Sequence, residues 1–178
     1  YHWKEASTTL YLEEHLGWSG IAIDAQERYA AGYEKNRPGT RFFTYLVTGR
    51  SGDIGTLYSA GPLSSTAKDH LESFPSMEGF EAPTIQVSTI TLDDLLEQND
   101  LMGIDFLSID IEGAEVDALL GFDIERFHPT LVCIEVARKN RASVSAYFET
   151  HGYERIKAYL PHDVANWYYA PKKTGALN

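Results

Sequence analysis

Carboxylates stand at the ends of several short apolar runs in this 178-residue chain, which is where an acid in an α/β protein can meet a ligand. Gly20-Ile21-Ala22-Ile23 ends in Asp24; residues 104–111 carry Asp110 and run into Glu112-Gly113-Ala114-Glu115; residues 131–136 carry Glu135. In an open α/β sheet the ligand lies beyond the carboxyl ends of the strands, where the strand order reverses, so these acids are expected along one rim. Asp24 has the placement of an acid that accepts both ribose hydroxyls of an adenosine cofactor, because one carboxylate can take two hydrogen bonds. That points to adenosine and leaves the reaction open. Asp110, Glu112 and Glu115 form a denser cluster beside Gly113, whose missing side chain lets backbone approach a ligand closely. A carboxylate here could bind an amino group, orient a hydroxyl, act as a general base or help hold a divalent cation. Glu115 reads instead as a complement to a helix N-terminus. His2 and His162 join Asp110 and Glu135 as candidates to take a proton, whereas His15, His70, His128 and His151 read as surface or capping residues.

The elements that must position these groups follow from local pattern. Ser7-Thr8-Thr9, then an amphipathic stretch from Leu10, then Gly17 reads as cap, helix and glycine stop. A strand at 20–24, a helix over 26–36 closed by Arg37-Pro38-Gly39, and a strand over 41–47 continue the chain. This alternation predicts a parallel sheet with helices on both faces. Residues 48–89 change rhythm: a glycine-rich hairpin turn at 49–55, a strand over 54–59 and a polar stretch suggest an insertion or lid. The alternation resumes with a strand over 85–91 and a helix opened by Thr91 with Asp94 three residues on, a capping box. Residues 104–111 and 131–136 read as buried strands, and residues 153–160 and 166–170 as a closing antiparallel hairpin.

Composition narrows the class. With 43% hydrophobic and 23% charged residues, the chain suits one α/β domain spanning residues 1–178. No apolar run approaches the roughly 20 residues a membrane helix needs, so a soluble, cytoplasmic protein without a membrane partner is expected. The net charge is −11, from 26 acidic against 15 basic residues, and no basic stripe offsets it, which argues against nucleic acid as a partner. The single cysteine, Cys133, sits in an apolar run and reads as a small core residue, leaving no disulfide or zinc framework. Self-association is left open.

The run Ile104-Asp105-Phe106-Leu107-Ser108-Ile109-Asp110-Ile111-Glu112-Gly113-Ala114-Glu115, followed by Leu119-Leu120-Gly121-Phe122 and Cys133-Ile134-Glu135-Val136, resembles the signature region of FkbM-family methyltransferases. The stretches from Leu16 to Asp24 and from Thr89 to Leu96 are also similar to that family, in the same order. The resemblance implies a class I methyltransferase (Rossmann-like) α/β fold with a mostly parallel sheet. It implies S-adenosylmethionine bound across the strand ends, its methyl passed to a hydroxyl of a sugar or natural product, and hence a small-molecule or glycan acceptor. On that template Asp24 matches the ribose-binding acid, where many relatives carry Glu, and Ser7 and Ala25 fall beside the cofactor. Thr48 flanks the adenine, and Asp110 lies near the methionine end and the transfer site. Asp110, Glu112, Glu135 and His162 are the catalytic candidates. No dedicated metal site is implied, though a divalent cation stays open. The family's first strand and its glycine-containing loop would lie immediately before Tyr1, so the sheet is expected to lack one member. Two other readings share the ribose acid: a nicotinamide-dependent oxidoreductase, which needs a Gly-x-Gly-x-x-Gly turn, and a non-catalytic binding module.

Overall fold

A computed structural model describes residue 4 and residues 7–173. The first helix, α1 (Leu10–Leu16), ends on Gly17 at φ 69°, whose N–H returns to the Leu12 carbonyl, as the glycine stop requires. Its first turn is held by the Ser7 hydroxyl, which accepts the Leu10 N–H at 3.2 Å. Strand β1 (Gly20–Asp24) follows. The helix expected over 26–36 starts later: Asp24 Oδ1 accepts the Gln26 N–H at 2.8 Å, Gln26 stays extended, and a 3-10 turn at Glu27–Tyr29 leads into α2 (Ala30–Asn36). The side-chain bond offers the backbone an alternative to the first helical turn.

The strand expected over 41–47 divides at Tyr45 because it changes partner. Strand β2 (Thr40–Thr44) runs parallel to β1, whereas β3 (Leu46–Val47) runs parallel to the later strand β5. The segment read as an insertion contributes to the sheet at both ends. Strand β4 (Ile54–Tyr58) is followed by α3 (Lys68–Glu72), and β5 (Thr84–Ile90) returns antiparallel to β4, so that β5 lies central in the order β3-β5-β4. Gly55 allows the close approach of these layers, since a Cβ there would stand 2.7 Å from Leu46 Cδ1. Helix α4 (Leu92–Gln98) opens as expected, with Thr91 Oγ1 accepting the Asp94 N–H at 3.1 Å.

The remaining chain builds most of the core. Strand β6 (Phe106–Ile109), helices α5 (Glu115–Leu120) and α6 (Ile124–Phe127), and strand β7 (Leu131–Glu135) precede α7 (Arg141–Thr150), β8 (Tyr153–Arg155) and β9 (Asn166–Pro171). The order β6-β7-β9-β8 joins a parallel pair to the expected C-terminal hairpin, with β9 inserted antiparallel between β7 and β8. Ile134, Val132, Phe127 and Val144 are fully buried here, and Phe148 stacks on Tyr169 at 4.0 Å. Cys133 is buried among them.

The expectation of a mostly parallel sheet needs correction. Parallel pairs β1–β2, β3–β5 and β6–β7 are matched by antiparallel pairs β4–β5, β7–β9 and β8–β9, and among the described residues the strands form three separately hydrogen-bonded groups. The fold is a mixed α/β arrangement. Antiparallel strands need no crossover between them, and β5 returns beside β4 and β9 beside β8 in this way. No hydrogen bond joins β1 to β6 among the described residues. Thr8 and Ser108 meet between them through their hydroxyls at 3.1 Å. No helix among the described residues is long and apolar enough to cross a membrane.

Candidate functional site

A cavity of about 300 Å³ lies where β1 and β6 face each other, at the lower end of the volume range usual for small-molecule sites. Asp24 enters it from the β1 side, Asp110 and Glu112 from the β6 side, and Gly61, Ser64 and Thr66 from the insertion. The walls are apolar, with Ile21, Ile23, Leu46, Val47, Phe106 and Leu107. Among the described lining residues there is no Lys, Arg or His, so the fixed charges facing the cavity are acidic. Such a lining favours a cation and repels an anion.

Asp24 is the last residue of β1, and the Gln26 N–H on its Oδ1 orients the carboxylate. Ala25 and Ser7 line the cavity near it. Ser7 is held in turn: its hydroxyl accepts from the Arg37 guanidinium at 3.1 Å. Arg37 is 1% exposed and also donates to Glu13, Thr9 and Thr40, tying the start of α1 to the start of β2.

The second acidic group is built by an unusual turn. Strand β6 ends at Ile109, and the chain then passes through Glu112 at φ 54° and Gly113 at φ 96°. A left-handed backbone is unfavourable by about 1–2 kcal/mol for a residue with a side chain, so neighbouring groups must hold Glu112 there. They do so on both sides. The Ser65 hydroxyl donates to the Glu112 carbonyl at 2.6 Å, and Glu115 Oε1 accepts the Gly113 N–H at 2.9 Å. Asn140 donates to both the Gly113 carbonyl and Glu115 Oε2 at 3.3 Å. Glu115 is fully buried, so its task is larger than complementing a helix end: it folds back to shape the turn.

Glu135, at the end of β7, lies behind Asp110 and outside the cavity lining. Burial, reinforced by the charges of Asp110, Glu112 and Glu115, pushes its carboxyl up to about 8. The Asp110 carboxyl is also raised, by burial and then by the Glu115 charge, while its hydrogen bond with Glu135 opposes the rise. At neutral pH Glu135 therefore keeps its proton and donates a hydrogen bond to Asp110. Asp110, Glu112 and Glu135 each place a carboxylate oxygen within 4.8 Å of the others, which is the spacing a cation could use.

Glu112 has a partner that local pattern did not disclose. His70, on α3, sets its Nε2 3.4 Å from Glu112 Oε2, with both side chains nearly buried. This corrects the reading of His70 as a surface or capping residue. The two lie 42 positions apart, and nothing in the chain around either signals the other. Besides Glu135, two candidates fall outside the cavity lining. The lining stops at Val47, and the Thr48 hydroxyl donates to the Arg50 carbonyl at 2.8 Å. His162 is exposed in the turn before β9 and is not among the lining residues. His2 lies outside the described residues. Ser108, Gln26, Tyr29 and Tyr33 line the cavity and were not anticipated.

Compared with known protein families, residues 3–161 match the methyltransferase FkbM domain. No curated protein and no solved structure matches the chain.

Proposed function

The chain belongs to the FkbM methyltransferase family, and from that premise we propose that it transfers a methyl group from S-adenosylmethionine to a hydroxyl oxygen of a small-molecule or glycan acceptor. The observation that carries this reading is the convergence of Asp24 from β1 with Asp110 and Glu112 from β6 on one cavity. Parallel pairs β1–β2 and β6–β7, with acids at their carboxyl ends, suit a class I, Rossmann-like site.

The residues present fit a cationic nucleoside. Asp24 would hold the ribose hydroxyls, Ser7 and Ala25 would lie beside it, and the acidic lining favours a sulfonium and an ammonium. Bound there, the cofactor supplies an already activated methyl donor. The protein's own work is then placement and proton removal. Holding an acceptor oxygen in line can lower the barrier by about 7–11 kcal/mol, and a positioned base adds about 10²–10⁴-fold. Asp110, open to the cavity, accepts the proton as the acceptor O–H bond breaks. Glu135 keeps its own proton and donates to Asp110, which moderates the charge on the pair. Glu112 orients the hydroxyl from the same side.

Calorimetric titration with S-adenosylhomocysteine and, separately, NAD tests the reading. We expect heat from the homocysteine ligand and none from NAD; the reverse result would replace methyl transfer with hydride chemistry.

A further inference from the structure

Between Tyr58 and Thr84 the chain leaves the β3-β5-β4 group and folds across the turn after β6. A bridge between Tyr58 and Ser65 reverses it, with reciprocal N–H to carbonyl bonds of 2.9 and 3.2 Å. The Ser65 hydroxyl then does two things: it accepts the Ala67 N–H at 3.0 Å, where α3 begins, and it donates to the Glu112 carbonyl. On α3, His70 reaches the carboxylate of the same residue. Backbone and side chain of Glu112 are thus both gripped by one short segment. The imidazole is itself confined. A Cβ on Gly113 would stand 3.0 Å from its Cγ and Nδ1, and Phe74 meets it edge-on with ring centroids 5.2 Å apart.

We propose that His70 is a positioning residue of the transfer site: its Nε2–H holds the Glu112 carboxylate as a hydrogen-bond acceptor and latches the insertion onto the acidic turn. The proposal rests on the methyl-transfer reading of the cavity, but not on the identity of the acceptor. Glu112 lines the cavity and His70 does not, so His70 acts through Glu112. The latch also fixes Gly61, Ser64 and Thr66, which line the cavity from the same segment. An apolar side chain would fill the space between Gly113 and Phe74 equally well; only Glu112 needs the donor. Burial and the Asp110 charge push the Glu112 carboxyl upward, and the hydrogen bond and charge of His70 oppose them.

The pair is tested first on the unmodified protein. A long-range nitrogen–proton correlation spectrum of the histidine rings should show His70 carrying a proton on Nε2; a ring protonated on Nδ1 alone overturns the proposal. The second arm compares His70→Gln, whose amide can donate from a similar place, with His70→Leu, which fills the space without donating. Carbon-labelled glutamate carboxyls, assigned with Glu112→Gln, report the Glu112 titration directly. Its midpoint should rise by about one pH unit or more in His70→Leu and stay near the unmodified value in His70→Gln. Amide exchange across residues 61–72 should quicken about tenfold in the leucine variant alone. Indistinguishable behaviour of the two variants on both measures overturns the latch. Calorimetry of the unmodified protein with S-adenosylhomocysteine reports the cofactor reading separately, so a failed latch and a failed cofactor site give different patterns.

Discussion

Glu135 shows how one residue's charge state governs its neighbours. Its carboxyl is raised from an ordinary 4.5 to about 8, chiefly by burial, so the folded protein binds a proton that the unfolded chain has released above about pH 4.5. The sign follows: stability is fully present below that pH and is lost as pH rises towards 8. Glu135→Gln removes the titration while keeping a donor for Asp110. Urea unfolding should therefore show the variant more stable than the unmodified protein at pH 9, by about 1–3 kcal/mol, and little different at pH 5. At the other acid, Asp24→Ala should weaken S-adenosylhomocysteine binding by about 1–3 kcal/mol in calorimetry, the scale for losing hydrogen bonds to a charged group. Unchanged affinity would remove Asp24 from the site.

At the level of elements, the cavity depends on how strands and turns are tied together. Arg37 joins α1, the Ser7–Thr9 stretch and β2 through one buried guanidinium, which leaves Glu13 dependent on it. The Glu13 carboxyl is held below its usual range, with hydrogen bonds from Thr40 and Arg37 outweighing the effect of burial. Arg37→Met should lower stability to urea by about 3–5 kcal/mol, because it strands a half-buried carboxylate; pairing it with Glu13→Leu should restore part of the loss. Failure of the second change to help would mean that the arginine's other bonds dominate. The turn after β6 follows the same logic: Glu112 keeps a left-handed backbone because Ser65, Glu115 and Asn140 bind the groups around it. The Thr91 cap and the Gly17 stop were legible because each is a local bond between near neighbours. The break at Tyr45 was not, since it arises when one strand trades β1 for β5 as its partner.

Over the whole molecule, a net charge of −11 and a cavity without basic lining groups among the described residues favour a cationic donor and a neutral or cationic acceptor. The protein should pass through a heparin column at about 0.15 M salt without retention, since its net charge of −11 repels a polyanion. Retention would overturn the expectation that nucleic acid and other polyanions are not partners. The mixed sheet also belongs to this scale. A run such as residues 84–90 announces a strand by its β-branched residues, but the direction of its neighbours is set by how the chain returns.

The order of apolar runs, their acidic ends and the family signature were determined by the sequence itself, because run length, side-chain type and spacing are properties of neighbouring residues. Which acids meet, which of them holds a proton and which histidine stands behind Glu112 were decided only by the tertiary structure. Burial and charge–charge distance exist only once separate segments have packed together, and those two quantities set the chemistry of the site.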